Sequence, residues 1–349
     1  MKNFVAAVAM ATLIAGPAVA ETYKMTMSAS HPTVLPWVGQ LSTLVVAESN
    51  KRLEAMGSED RIEWTESYGG ALYGFKDTLE AVGDGLTDAG WVGTLWEGSK
   101  MPLQNMTYFM PFVSDDLVGT LQVINQLHRD VPALQEAWED QNVVFLGASG
   151  VETYHLLTNF PVNSLADLEG RKILAPGPSA NWIKSLGAVP VNGALPTYYN
   201  QVQTGVADGM VVIISGAFPN KHYEVAPYVT LVGIGAQMTG GFGVNKDIWD
   251  GLSDDVKQVL TELGEEYTVA HAEEIMARYD SFIAQLPEVG ATVTEMSQED
   301  IATWKSSLPN LAGEWADANA DKGARDVMTA YMAALRDAGI EPKIAWDER

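Results

Sequence analysis

The segment from Leu165 to Gly209 alternates short apolar runs with helical patterns, and this alternation restricts the possible folds more than any other feature of the chain. Such alternation predicts a mostly parallel sheet with helices on both faces. Ligands of such sheets bind beyond the carboxyl ends of the strands. The predicted elements are a strand at Arg171–Ala175 ending at Pro176-Gly177, a helix capped by Ser179 or Asn181 and stopped by Gly187, a strand at Val189–Val191, a helix over Asn200–Thr204 and a strand at Met210–Ile214.

The first twenty residues have the pattern of a cleavable secretory signal peptide. Lys2 precedes an apolar run over Phe4–Ile14, and Ala18-Val19-Ala20 matches an A-x-A cleavage site. The apolar run is shorter than the roughly 20 residues that a membrane-spanning helix needs, so the alternative of an N-terminal anchor is disfavoured. We therefore expect a mature protein secreted to the periplasm.

Composition excludes several classes of function. The formal net charge is −24 and there is no cysteine. So acidic a chain is a poor partner for nucleic acid, and without thiols it has neither disulfides nor cysteine-ligated metal clusters. The 349 residues are enough for two lobes, each with its own core.

A short pattern occurs twice and suggests two lobes of similar topology. Gly85-Leu86-Thr87-Asp88 precedes the apolar run at Trp91, and Gly205-Val206-Ala207-Asp208 precedes the run at Met210. In both places a helix ends at glycine and an aspartate comes before a buried strand. Turns of this kind are common, but the whole helix–turn–strand unit recurs here.

Several motifs, taken in order, resemble one family. Asp167–Gly177 (D-L-E-G-R-K-I-L-A-P-G) is followed by Leu186–Val191 and by Tyr199–Gly209, and Tyr68–Gly85 and Ile248–Leu252 add further pieces. Together they resemble the solute-binding proteins of tripartite ATP-independent periplasmic (TRAP) transporters, of the dicarboxylate-binding type. Each piece alone is weak, and the specificity comes from their order.

The resemblance implies an α/β periplasmic-binding-protein fold with two lobes, each a mixed, mostly parallel sheet, and a long helix spanning both. It also implies a monomer that binds a small solute, usually an organic acid, and delivers it to the TRAP membrane permease subunits, with no cofactor and no metal. Closure would occur about hinges near Gly147–Val151 and Leu231–Gly235. The expected division is 1–20 signal peptide, 21–148 and 232–280 lobe I, 149–231 and 281–338 lobe II, and 339–349 C-terminal tail.

The chain departs from the family pattern where the family carries a carboxylate-binding arginine. The usual K-I-R-x-P-G reads Lys172-Ile173-Leu174 here, so that position is Leu174. A second frequent arginine corresponds to His155, and a frequent asparagine falls in the apolar run Met210–Val212. Because leucine cannot pair with a buried carboxylate, two possibilities stay open. Another cation such as protonated His155 holds an acid, or the solute is an amine, a quaternary ammonium or a neutral molecule.

Candidate binding residues are the polar and aromatic side chains predicted in loops at strand ends. Glu152 beside Tyr154 would suit a cationic solute, and Trp182, just after Pro176-Gly177, is the strongest aromatic candidate. For any one aromatic, packing in a core is the competing interpretation. The full set of predicted ligand-binding residues is Ser30, His31, Phe75, Trp91, Glu152, Tyr154, His155, Leu174, Asn181, Trp182, Tyr199 and Val212.

No constellation typical of catalysis is recognisable in the sequence. His271-Ala272-Glu273 is not the H-E-x-x-H motif, and Gly240-Gly241-Phe242-Gly243 resembles a phosphate loop only in its glycines. We therefore expect no enzyme. The remaining rivals are a binding protein of an ATP-driven importer and a sensory receptor with the same fold.

Overall fold

The computed structural model describes residues 20–349. The predicted signal peptide therefore lies outside the described residues except for Ala20. Across residues 20–349, no helix has both the length and the apolar composition needed to cross a bilayer.

Within residues 20–349, eleven strands form two sheets, which lie in two lobes. The first sheet has the order β2-β1-β3-β10-β4 and the second β11-β9-β5-β8-β6-β7. The strands are β1 Thr22–Ser28, β2 Arg61–Ser67, β3 Ala89–Val92, β4 Val143–Val151, β5 His155–Thr158, β6 Lys172–Leu174, β7 Val189–Val191, β8 Gly209–Val212, β9 Tyr228–Leu231, β10 Gln237–Asn245 and β11 Thr292–Glu295.

The helices cover the sheets and close the molecule. They are α1 Pro36–Gln40, α2 Ala47–Ala55, α3 Thr78–Gly83, α4 Leu117–Asp130, α5 Pro132–Glu139, α6 Ala180–Lys184, α7 Leu195–Gln203, α8 Ile214–Ala217, α9 Lys246–Gly251, α10 Asp254–Gln285, α11 Gln298–Ser307, α12 Leu311–Ala318 and α13 Ala324–Asp337. Helices α1 and α2 do not form one continuous α-helix, because a π-helix at Leu41–Val46 joins them.

Each sheet contains one strand that runs against all its neighbours. In the first sheet β10 is antiparallel to β3 and β4, whereas β1, β2 and β3 are mutually parallel. In the second sheet β5 is antiparallel to β8 and β9, and the other pairs are parallel. The predicted mixed, mostly parallel sheets are confirmed.

The two reversed strands mark where the backbone passes between the lobes. The chain leaves the first sheet at β4, crosses at 152–154 and enters the second sheet as β5. It returns from β9 through 232–236 and enters the first sheet as β10. The crossing segments are bonded to each other, because Gly235 N donates to Thr153 Oγ1 at 2.8 Å and Ile234 N to Tyr154 O at 3.2 Å. Side-by-side crossings of this kind are the usual site of hinge motion.

The repeated sequence pattern has the same structural role in both lobes. Asp88, before β3, accepts a hydrogen bond from Thr26 N in β1 at 2.7 Å. Asp208, before β8, accepts one from Lys172 N in β6 at 2.9 Å. The glycine three residues earlier has a φ of 74° in each case, which favours a residue without a Cβ. The lobes therefore repeat one helix–turn–strand unit.

The long helix α10 packs against both lobes. Ser253 caps its N-terminus by accepting from Val256 N, and Asp254 and Asp255 lie in its first turn. Its N-terminal part packs on β4 and α4 of the first lobe. Farther along, Phe282 stacks on Phe218 of the second lobe, with 4.6 Å between ring centroids.

The C-terminal helices return to the first lobe. The boundary expected from the sequence put residues 281–338 in lobe II, and β11 does pair with β9 there. Helix α13, however, packs against α4 of the first lobe. Trp315 Nε1 also donates to Pro102 O at 3.1 Å in that lobe. This segment therefore contributes to both lobes.

Loss of either of the two repeated turn contacts should cost stability by a similar amount. We expect Asp88→Ala and Asp208→Ala each to lower the free energy of unfolding by about 1–3 kcal/mol, the value of a hydrogen bond to a charged group. The asparagine variants keep an acceptor and should lose less. Urea unfolding measures both, and an unchanged midpoint in either alanine variant would contradict the shared role.

Candidate functional site

A small cavity lies where the two lobes meet. It is bordered by the carboxyl ends of β3 and β8 and by the loop after β6, which is the region that the strand pattern predicts. Aromatic side chains from both lobes line it, namely His31, Trp37, Trp91, Trp96, Tyr154 and Tyr198. The remaining lining residues are Leu95, Val151, Pro176, Ala194, Leu195, Val211, Val212, Ile213 and Thr239.

Four of these rings form a box on the first-lobe side. His31 lies 5.1 Å from Trp91 in an edge-to-face arrangement and 6.0 Å from Trp96 in a stacked one. The Trp37 ring is 6.5 Å from Trp91, and Trp91 is 6.1 Å from Trp96. These separations are within the range of favourable aromatic contacts, so the box is held by its own packing.

Three donors on the cavity's side chains are buried without a partner. They are Trp37 Nε1, Trp96 Nε1 and the Tyr198 hydroxyl. By contrast, Trp91 Nε1 donates to Ser149 Oγ at 2.7 Å, and the hydroxyls of Tyr154 and Tyr108 are 2.8 Å apart. Buried polar groups are nearly always paired in proteins, so the unpaired donors indicate a place for a solute or for ordered water.

No Asp, Glu, Lys or Arg side chain lines this cavity in the described part of the chain. His31 is the one titratable lining group besides the tyrosines, and burial lowers its pKa to about 4. The imidazole is therefore neutral at neutral pH. The lining offers apolar surface and neutral hydrogen-bonding groups rather than charge.

The backbones of the two lobes approach each other closely beside the cavity at Gly177. This glycine of the second lobe has a φ of 51°, and a Cβ there would overlap the carbonyl oxygen of Leu95 in the first lobe. Trp182 adds a second contact, since its Nε1 donates to Tyr108 O at 2.7 Å. The structure is therefore a closed form in which backbone meets backbone.

A family model described as bacterial extracellular solute-binding protein, family 7 (DctP) matches residues 43–317. The chain belongs to this family. It contains the solute-binding proteins of TRAP transporters, as the sequence motifs predicted.

Similar proteins agree with this assignment. The chain is 30% identical over 197 residues to a solute-binding protein of Sulfitobacter sp. (strain NAS-14.1), over 55% of this chain and 58% of that protein. It is 25% identical over 182 residues to the ectoine-binding periplasmic protein TeaA of Halomonas elongata, over 50% of this chain and 52% of TeaA. These matches span little more than half of each relative.

Solved structures show the same fold. A TRAP solute-binding protein from Rhodoferax ferrireducens, in complex with copurified benzoate, superposes with a TM-score of 0.78. The match covers 90% of this chain and 98% of that one at 16% identity. At such identity the likeness shows the two-lobed fold of the DctP family and nothing about the solute.

Four of the residues predicted from the sequence line the cavity of this DctP protein: His31, Trp91, Tyr154 and Val212. Ser30 lies behind His31, with its Oγ 3.0 Å from Nδ1. Phe75 packs behind Trp96, with 5.0 Å between ring centroids.

His155 lies on the far side of the crossing. Its Nδ1 accepts from Val232 N at 2.9 Å, so the proton is on Nε2, which contacts the Tyr279 hydroxyl at 2.7 Å. Burial lowers its pKa to about 4. A neutral, fully bonded imidazole cannot supply the cation that the sequence interpretation considered for a carboxylate.

Glu152 also faces away from the cavity. Its Oε1 accepts from Ser215 N and its Oε2 from Ser215 Oγ, both at 2.7 Å, which ties the first crossing to α8. Burial raises its pKa to about 7 despite these bonds. The carboxylate is a structural tie between crossing and lobe and is not placed to meet a cation in the cavity.

The other predicted residues lie outside the lining. Leu174 is fully buried in β6, and Trp182 is fully buried between Tyr108 and Trp304. Asn181 borders a separate surface groove, and the Tyr199 hydroxyl donates to Glu224 at 2.9 Å.

Trp37, Trp96 and Tyr198 also line the cavity. The two tryptophans are among the aromatic residues that the sequence predicts in loops at strand ends, whereas Tyr198 was not a predicted candidate. Both tryptophans follow strand ends in the sequence, which is a usable signal. Tyr198 and Tyr199 are consecutive on helix α7, so their side chains point in different directions. The sequence spacing alone does not show which of the two faces the cavity.

All five histidines are buried and have pKa values lowered to about 4, so stability should fall in mild acid. The unfolded chain takes up these protons near pH 6.5. The stabilisation is therefore complete above pH 6.5 and is lost as the pH falls towards 4. The pKa of Glu152 is raised to about 7, so protonation of this carboxyl in the folded protein adds stability as the pH falls below 7. This gain offsets the loss of stability from about one histidine.

Urea unfolding at pH 7.5 and at pH 5.5 should show this loss. His128→Gln, remote from the cavity, should reduce the proton uptake on unfolding by about one. A midpoint that does not change between the two pH values would contradict the neutral state of the buried imidazoles.

Adding a single methyl group at Gly177 should hinder closure. Gly177→Ala meets the Leu95 carbonyl, whereas Gly170→Ala has a similar φ of 71° and open space around it. Both variants should lose about 1–2 kcal/mol of stability from the left-handed conformation. Only Gly177→Ala should also increase the radius of gyration in small-angle X-ray scattering. Equal radii for the two variants would show that the contact does not control closure.

Proposed function

We propose that this protein is the periplasmic receptor of a TRAP transporter and captures one small organic solute in the aromatic cavity between its lobes. The single observation that carries the proposal is the aromatic cavity at the lobe junction, whose side chains leave three buried donors unpaired. A solute that fills the cavity would complete these bonds. Membership of the DctP family supports the same role.

Closure supplies the affinity in this proposal. Residues from the first lobe, such as Trp91, and from the second, such as Tyr198, reach the cavity together only when the lobes are closed. A solute that contacts both groups binds the closed form more tightly than the open form and shifts the population towards it. Delivery to the membrane permease follows if the permease recognises the closed form.

Similar proteins support a small organic solute without defining its class. One is named for ectoine and another was solved with benzoate. Organic acids are the usual expectation for the family, and the sequence leaves amines and neutral solutes open. We propose as ligand-binding residues His31, Trp91, Tyr154 and Val212, together with Trp37, Trp96 and Tyr198.

The direct test is to identify what the protein carries. Purified protein is denatured, released small molecules are identified by mass spectrometry, and the same protein is screened by thermal shift against acids, amines and sugars. A released or stabilising solute supports a receptor. If no small molecule is released and none raises the melting temperature, the proposal is wrong.

Tyr198→Phe should separate solute binding from folding. Its hydroxyl has no partner in the protein, so removing it should leave the melting temperature of the solute-free protein unchanged or slightly higher. Affinity for the released solute should fall about threefold to tenfold, the effect of one hydrogen bond. Tyr199→Phe, whose hydroxyl bonds Glu224 outside the cavity, is the matched control. Equal affinities for the two variants in calorimetry would remove Tyr198 from the site.

A further inference from the structure

The polar groups of the cavity restrict the charge of its solute. Resting on the receptor function proposed above, we propose that the solute is a small zwitterion. Its cationic group, alkylated or delocalised, lies among the rings of His31, Trp37, Trp91 and Trp96, and its carboxylate meets the free donors of Trp37, Trp96 and Tyr198.

The free donors select a group that accepts hydrogen bonds. Trp37 Nε1 and Trp96 Nε1 can only donate, and the Tyr198 hydroxyl completes a set of three. Trp37 and Tyr198 are also almost completely buried, at 3% and 1% exposure, so water has little access to replace a missing partner. A carboxylate has two oxygens that can accept several such bonds at once.

The rings select a group that tolerates an aromatic face. Aromatic faces carry negative potential and attract cations, most effectively those that give up little hydration. The four ring centroids of the box lie 5.1 to 6.5 Å from their neighbours, so a group seated against one ring is close to the others. Alkylated ammonium and planar delocalised cations meet these requirements better than a primary ammonium does.

The cavity offers no counter-charge to a solute that carries only a positive or only a negative group. No Arg or Lys side chain lines the described cavity, and Leu174 is fully buried away from it, so a lone carboxylate would be buried without a counter-charge. A lone cation is no better placed, because both oxygens of Glu152 are bonded to Ser215 outside the cavity. A zwitterion brings its own counter-charge, and the filled cavity is then neutral overall.

Four molecules of nearly equal shape test this directly. Glycine betaine carries both charges, choline only the positive one, 3,3-dimethylbutyrate only the negative one, and 3,3-dimethyl-1-butanol none. Calorimetry at neutral pH should give glycine betaine at least tenfold higher affinity than each of the other three. The solute released from the purified protein should carry both a cationic group and a carboxylate.

Variants show whether the bound probe uses the assigned groups. Trp96→Phe keeps an aromatic ring and removes the N–H donor, so it should lower the affinity for glycine betaine at least threefold. Trp249→Phe, on α9 and outside the cavity, is the control and should leave this affinity unchanged. Binding of 3,3-dimethylbutyrate as tight as that of glycine betaine would overturn the zwitterion. So would tight choline binding that is lost in Glu152→Gln, or a released solute without a cationic group. Each of these outcomes leaves the receptor function intact, which fails only if nothing is released and nothing binds.

Discussion

The hydrogen-bonded pair of crossing segments is the constraint on which the rest of this structure depends. Residues 152–154 and 232–236 pass between the lobes side by side, held by bonds such as Gly235 N to Thr153 Oγ1. Because the chain passes in both directions here, two adjacent segments join strands β4 and β10 of the first sheet to strands β5 and β9 of the second. The cavity lies next to this shared edge, and Tyr154 of the first crossing is part of its wall. Hinge and site are therefore built from the same few residues.

The ionisable side chains of the first crossing do not face the cavity. Glu152 and His155 flank the crossing segment, yet each is fully engaged with backbone or side-chain partners on the opposite face. Burial raises the pKa of Glu152 to about 7 and lowers that of His155 to about 4, so in both groups it favours the uncharged form. The aromatic box is left as the dominant recognition surface, with neutral donors at its edge. Recognition then depends on shape, on ring faces and on hydrogen-bond acceptors.

The fold could be predicted from the sequence to a large extent, because its signals are local and repeated. Alternating strand and helix patterns, the glycine-aspartate turns at Asp88 and Asp208 and the long helix after Ser253 are each readable within a few turns of chain. The location of the site was predictable for a related reason, since strand ends meet at one edge of a sheet. The interruption at Leu41–Val46 was not, because nothing in the helical spacing there distinguishes a π-helix.

The individual site residues were harder to predict, because they depend on contacts between distant parts of the chain. Ser215 binds Glu152 from 63 positions away, which removes that carboxylate from the cavity. Trp182 lies in α6, just after the loop that follows β6, and its indole is fully buried against Tyr108 of the other lobe. Tyr198 and Tyr199 differ by one step on a helix, and that step decides which hydroxyl meets the cavity.

The position of β10 in the first sheet has a consequence for how the protein is made. This strand lies between β3 and β4, although it is synthesised only after the whole second sheet except β11. The amino-terminal half of a nascent chain therefore cannot complete its own sheet, because β4 joins β3 only through residues 237–245. Contacts so distant in sequence form slowly. The same strand order that brings the chain back across the lobe junction therefore also delays completion of the first sheet.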